Sequence, residues 1–374
     1  MNFDIYNKIV IKIGSSLLVD SAFRFNWLAS LATNIINLKA QGKQVIIVTS
    51  GAVALGKLTL KLMQHNISVP QKQALASIGQ IELMLNYKQA FAKQQIAQIL
   101  VTANDCNVRT SYLNCQKTIQ NLLHNNIIPI INENDSIATQ EIKFGDNDRL
   151  AARIAQMCNA DLLILLSDID GLYNKNPKIH NDAFFIDTVT AITTDIISMA
   201  QGTSSAVGTG GMITKIMAAK MATQAGCATI ITDGREDNCL QRLWQTNNSP
   251  KKFTNFVAKC KNNTKNYTSR KKWLQGIVNP KGEIIINDCA VNALQQKKVS
   301  LLAIGAIAVY GNFLANDVVL IKDSNNNIIG GGIINHSSID TAKILQKNSL
   351  QIKQILGDNC KTELIHLDNL VVYN

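Results

Sequence analysis

Two short segments concentrate the polar chemistry of this chain. Ile131-Asn132-Glu133-Asn134-Asp135 and Phe144-Gly145-Asp146-Asn147-Asp148 together hold four acids and three amides, and the first closes the apolar run 127–131. Such a run suits a buried strand, so the acids should emerge at the carboxyl end of a sheet, where open α/β sheets bind ligands. The same residue types also build ordinary solvated turns.

Three further loops carry groups that suit phosphate. The first is Ile11-Lys12-Ile13-Gly14-Ser15-Ser16, where Gly14 frees the backbone to turn, the serines add donors, and Lys12 sits inside an apolar strand. Alone, Lys12 also reads as a snorkelling edge lysine; read with the other loops it becomes a phosphate ligand. The second is Thr49-Ser50-Gly51-Ala52, small residues that allow close backbone approach or form a tight turn. The third, Gly208-Thr209-Gly210-Gly211-Met212-Ile213-Thr214-Lys215, opens a helix with Met212, Ile216 and Ala219 on its apolar face. Its free N–H groups, helix dipole and Lys215 one turn in would suit a nucleotide phosphate.

No loop has the P-loop pattern, position 213 is Ile where a dinucleotide fingerprint needs Gly, and the protein-kinase signatures are missing. A phosphate-handling α/β protein of another kind is implied. Two lysines on separate loops neutralise charge as a phosphoryl group moves between oxygens, and nearby carboxylates would hold those lysines or a magnesium ion.

These loops need a scaffold, and the hydrophobic periodicity supplies one. Strand-like runs at 8–13, 45–49, 96–101, 127–131, 161–166 and 229–232 alternate with helical periods near 27–40, 74–93, 112–124, 148–158 and 212–225, which is the rhythm of βαβ units. It breaks at 247–270, where Asn, Lys and Thr dominate. Residues 251–272 carry eight basic residues and no acid, a solvated linker or a nucleic-acid patch. Short strands at 283–286, 307–310, 318–321 and 328–334 then predict a small β domain.

At 374 residues the chain exceeds the size of one hydrophobic core, so two domains are expected. The net charge of +11 comes largely from lysines scattered among Asn and Ile and carries little weight. Eight widely spaced cysteines lack any CxxC pair and read as reduced, mostly buried thiols. The N-terminus shows no signal-like apolar region, and the longest apolar run, 301–310, is too short to span a bilayer. A cytoplasmic location without membrane contact is the expectation.

In order, the loops at 10–16, 49–56, 131–138, 144–148, 167–173 and 208–215 resemble those of the amino-acid kinase family and, within it, the glutamate 5-kinase branch, over nearly the whole chain. The general loops are shared with aspartokinases, acetylglutamate kinases and uridylate kinases. The segments at 131–135 and 145–148, with Arg270-Lys271-Lys272-Trp273, are more specific to that branch. The tail beyond Trp273 resembles a PUA domain but departs from it at Cys289, Leu302-Ala303 and Asn316-Asp317, which weighs against RNA binding.

The resemblance implies an open αβα sandwich around a mostly parallel sheet (1–250), the basic linker (251–272) and a small β-rich PUA-like domain (273–374). It also implies direct transfer of the ATP γ-phosphoryl group, with Mg2+, to the side-chain carboxylate of L-glutamate, the first step of proline biosynthesis. Lys12, Asp148 and Lys215 would be catalytic, with Asp148 organising the lysines. Glutamate would meet Ser50, Gly51, Asn132, Asp135, Asp146 and Asn147. ATP would meet Lys12, Gly14, Ser167, Asp168, Tyr173, Thr209, Gly210, Gly211, Met212, Ile213, Thr214 and Lys215. Proline inhibition and a dimer or tetramer are further implications. Two rivals are a kinase of the same family for another acceptor and an RNA-binding protein acting through the tail.

Overall fold

The computed structural model describes residues 3–62, 67–138, 147–177, 179–200, 211–244, 252–258, 273–274, 280–296 and 299–373. The chain divides into two compact units, Met1–Thr264 and Lys265–Asn374.

In the first unit the strands are β1 (Lys8–Ile13), β2 (Gln44–Val48), β3 (Ile96–Val101), β4 (Ile128–Glu133), β5 (Leu162–Ser167), β6 (Leu172–Tyr173), β7 (Phe185–Ile186), β8 (Thr188–Val189), β9 (Ala228–Asp233) and β10 (Phe253–Phe256). The helices are α1 (Ser15–Leu18), α2 (Phe25–Ala40), α3 (Ala52–Thr59), α4 (Val69–Phe91), α5 (Ala103–Asn107), α6 (Arg109–His124), α7 (Asn147–Cys158), α8 (Thr194–Met199), α9 (Met212–Gln224) and α10 (Cys239–Trp244). Eight strands form one sheet in the order β3-β4-β2-β1-β5-β9-β10-β8. Pairing is parallel from β3 through β9, and only the β9–β10 pair is antiparallel.

The periodicity of two along each strand decides which layer a side chain enters. Ile9, Ile11 and Ile13 of β1 join Val45 and Ile47, Ile128 and Ile130, and Leu162, Ile164 and Leu166 in one core. That core is capped by Trp27, Leu28 and Leu31 of α2, Leu55 of α3 and Leu83 and Tyr87 of α4. By the same alternation Val10 and Lys12 face the other layer, where α7 packs on α9 and on β1. α4 begins where Ser68 and Gln71 close a capping box around Pro70, which sets the helix at its entry. Its backbone then comes into direct contact with α3: a Cβ on Gly79 would lie 1.9 Å from the Ala52 carbonyl oxygen, and one on Gly56 would lie 2.0 Å from that of Leu75.

The stretch read as a basic linker begins inside this unit, because Phe253–Phe256 is a strand of the sheet; most of the remainder, 259–272, lies outside the described residues. Thr254 ties that strand in, its hydroxyl accepting from the Leu172 N–H at 2.7 Å and donating to the Ile186 carbonyl at 2.6 Å.

The second unit holds β11 (Gly282–Ile286), β12 (Leu301–Leu302), β13 (Ala306–Gly311), β14 (Val318–Lys322), β15 (Ile328–Ile333), β16 (Glu363–Ile365) and β17 (Leu370–Val372). Five of these make a sheet in the order β13-β11-β14-β15-β17 around Ile284, Ile286, Val319 and Ile321. At one departure from the PUA pattern, Asn316 takes φ 73°. Asparagine is the residue that best replaces glycine in that left-handed region, so the turn survives the exchange. Among the described residues no helix is long and apolar enough to cross a membrane.

Candidate active site

Lys12 is the penultimate residue of β1, paired with Val48 on one side and Leu165 on the other, in the middle of the sheet. It is only 6% exposed, which removes the reading of a snorkelling edge lysine. A cation buried among apolar strands needs a counter-charge. α7 supplies one: Asp148 Oδ1 lies 2.5 Å from Lys12 Nζ, and Oδ2 lies 3.1 Å from Lys215 Nζ on the first turn of α9. Asp148 is 1% exposed and Lys215 5%. Burial alone would raise the Asp148 carboxyl, but the two lysines outweigh it and hold the group at about 2. Two cations around one carboxylate leave a net positive charge, the field an incoming phosphate requires.

Asn147, one residue earlier, turns the opposite way. Its Nδ2 reaches the Thr49 carbonyl at 2.6 Å, Ser50 Oγ at 2.9 Å and Asn132 Oδ1 at 2.9 Å. Asn132, near the end of β4 and 1% exposed, accepts from the Glu133 N–H at 2.9 Å and donates to Gln80 Oε1 of α4 at 2.8 Å. Gly51 caps α3 at φ 102°, a conformation that favours glycine. The first two residues of α7 therefore connect an amide chain on the α4 side to the lysine pair on the α9 side.

The segment after β4 is a turn that also lines a cleft. Ser136 and Ile137 are exposed, yet Asp135 is half-buried, and its desolvation pushes the carboxyl up to about 6. With Ala52, Ser77, Gln80 and Glu133 it lines a cleft of about 270 Å³. Asp146 lies outside the described residues, so its place beside Asn147 stays an expectation.

Among the residues expected to meet ATP, Ser167 closes β5 and its hydroxyl donates to Asp168 at 3.0 Å. Tyr173 packs edge-on against Phe185 at 5.3 Å and donates to Asp170 at 2.9 Å. Gly14 follows β1 with φ −71°, and a Cβ there would meet the Leu166 carbonyl at an ordinary 3.6 Å. Turning freedom is thus not what glycine supplies at position 14. Gly211 caps α9, with Met212 buried and Ile213 half-buried behind it; Thr209 and Gly210 lie outside the described residues. The Thr214 hydroxyl is 3.1 Å from Asp148 Oδ2 and 2.8 Å from the Gly211 carbonyl, so it braces the triad. Gln80 was not among the residues expected from sequence: it lies mid-helix, 52 positions from Asn132, and only its place directly after Gly79 hints at close packing.

The profile of the amino acid kinase family matches residues 7–233, and that of the PUA domain matches residues 282–356. The glutamate 5-kinase of Nitrobacter hamburgensis is 42% identical over 372 residues, covering 98% of this chain and 96% of that protein. The glutamate 5-kinase of Rhodopseudomonas palustris strain CGA009 is 43% identical over the same shares. That of Paramagnetospirillum magneticum is 42% identical, covering 98% of this chain and 97% of that protein.

Proposed function

The chain belongs to the amino acid kinase family, in its glutamate 5-kinase branch and with a C-terminal PUA domain, and from that premise we propose how its site works. The enzyme transfers the γ-phosphoryl group of ATP to the side-chain carboxylate of L-glutamate, giving L-glutamyl 5-phosphate, the opening step of proline synthesis. The observation that carries the mechanism is the buried Lys12–Asp148–Lys215 triad.

The acceptor carboxylate is already an anion, so the reaction needs no general base. Asp148 could not serve as one near neutrality, because the lysines hold it at about 2. The difficulty is electrostatic: an anionic acceptor must approach an anionic phosphoryl group. Lys12 and Lys215 offset that repulsion and stabilise the charge that spreads over the moving oxygens. Asp148 keeps the two cations side by side, so they are in place before the nucleotide arrives. Ser50, Gly51, Asn132 and Asn147 form the floor of the glutamate subsite, and Asp135 faces the substrate ammonium. Ser167, Asp168, Tyr173, Gly14 and the start of α9 take the nucleotide.

Among the described residues no group of three or more His, Cys, Asp or Glu side chains is arranged to hold a metal, and both Asp148 oxygens lie against lysines. Magnesium fits this chain as part of the ATP complex, and no step above runs through it. Proline binding in place of glutamate and self-association complete the reading; exposed Ile81 and Leu85, one turn apart on α4, support the latter.

Hydroxylamine converts an acyl phosphate to a hydroxamate. With ATP and magnesium, hydroxamate from L-glutamate but not from aspartate or N-acetylglutamate, and no ATP use with uridylate, is the expected result. A folded protein that turns over none of the four would overturn the reading.

A further inference from the structure

The buried amides at the floor of the cleft have only one consistent orientation. The Glu133 N–H must meet an oxygen, which fixes Asn132 Oδ1 and turns Asn132 Nδ2 toward Gln80. Gln80 must answer that donor with Oε1, so its Nε2 points elsewhere. At the other end the Thr49 carbonyl accepts from Asn147, which fixes Asn147 Nδ2 and leaves Asn147 Oδ1 as an acceptor. Two backbone groups thus set the polarity of the whole chain Gln80–Asn132–Asn147.

The two ends of that chain are orphans of opposite kind. Among the described residues neither Gln80 Nε2 nor Asn147 Oδ1 has a hydrogen-bond partner, although both are buried. A buried donor without an acceptor is costly and marks a place where a ligand completes the bonding. Gln80 is only 9% exposed, and it lines the same cleft as Asp135 and Ala52. Its position is enforced: Gly79 brings α4 so close to α3 that a Cβ would overlap the Ala52 carbonyl and the Gly56 nitrogen.

An amino acid acceptor carries a cation and an anion on its α-carbon, and the cleft offers both complements. Asn147 lies next to Asp148 and the lysines, while Gln80 stands two amide links away. We infer that Gln80 Nε2 donates to the α-carboxylate of the acceptor amino acid, at the end of the subsite remote from phosphoryl transfer. Gln80 then selects acceptors that carry an α-carboxylate as well as the reacting one, with Asp135 opposite the ammonium group. This assignment rests on the reading of L-glutamate as acceptor.

Two substitutions test it. Gln80→Met removes both polar atoms in a similar volume. Gln80→Glu keeps an oxygen for Asn132 but places a carboxylate where the donor stood. Each variant is measured for KM with L-glutamate, KM with ATP, kcat and thermal unfolding, across pH. The expected result is KM for glutamate raised about tenfold or more in both, as for loss of a charge-assisted bond, with KM for ATP near that of the wild type and a cooperative melt, lower in Gln80→Met because Asn132 Nδ2 loses its acceptor. At acid pH, protonation of the new glutamate restores a donor. The ratio of wild-type to Gln80→Glu KM should therefore close as pH falls, while the ratio for Gln80→Met stays flat. A glutamate KM within twofold of wild type in a folded Gln80→Met protein would overturn the assignment, as would an equal rise in both KM values. Wild-type turnover with glutamate is the control: its absence sinks the acceptor reading itself, whereas turnover with an unmoved KM in the variants sinks only the role of Gln80.

Discussion

Asp135 and Asp148 are two carboxylates of one site pushed in opposite directions, and each direction has a measurable consequence. Desolvation raises Asp135 to about 6, and in its proposed place opposite the substrate ammonium it must be ionised. KM for glutamate should rise as pH falls through 6, and Asp135→Asn should flatten that profile while raising KM about tenfold at pH 7.5. For stability the sign reverses. A group raised above its unfolded value contributes fully below that value, 3.8, and loses the contribution as pH rises through 6. Asp135→Asn should therefore stabilise the free protein above pH 6, on the order of 1 kcal/mol after solvent screening, as read by thermal unfolding. Asp148, held at about 2 by its lysines, stabilises the fold above its unfolded value and loses that stabilisation as pH falls through 2. Asp148→Asn would leave two buried cations against a neutral amide, so it should cost about 3–5 kcal/mol of stability as well as activity. The meeting of Lys12, Asp148 and Lys215 was legible because an acid and two lysines in apolar surroundings have few structural uses. Gln80 was not, since an uncharged amide mid-helix has many.

The element that organises the site is the start of α7. Consecutive residues there point to opposite layers, so Asn147 reaches the turn just after β2 and the end of β4 while Asp148 reaches β1 and α9. The other half of the arrangement is the backbone contact of α3 with α4. Gly79→Ala should separate those helices, cost about 1–3 kcal/mol in denaturant unfolding, and raise KM for glutamate more than KM for ATP. A variant as stable as the wild type with unchanged KM values would contradict the role given to that contact. The sequence showed six of the sheet's strands by their apolar runs, because the central parallel strands, buried on both faces, read as continuous hydrophobic segments, and the edge strand β3 keeps enough apolar residues to show as well. It hid α3, whose Ala-Val-Ala-Leu-Gly run after Gly51 looks like a loop of small residues, and β10, a four-residue strand in a polar stretch held by Thr254.

At the scale of the molecule, every described residue assigned to the reaction falls within the first unit, and the second has its own core. A chain ending at Thr264 should fold and keep kcat with glutamate within about threefold, since a domain with its own core can stand alone. A truncated protein that folds but is inactive would show that the PUA domain takes part in catalysis. The two-domain plan was legible from chain length and from the break in rhythm, although the boundary was not, because a polar strand and a polar linker share one composition. The claim on which all three scales depend is that paired buried lysines carry phosphoryl transfer to glutamate. Lys215→Ala tests it better than any change at Asp148, because Lys12 still pairs with that carboxylate and the fold should hold. The decisive measurement is the rate of glutamyl hydroxamate formation by the folded Lys215→Ala protein. A fall of about 10²- to 10³-fold in kcat with a cooperative, near wild-type melt is the predicted result. A rate within about tenfold of wild type, where loss of a transition-state contact should cost more, would contradict the mechanism.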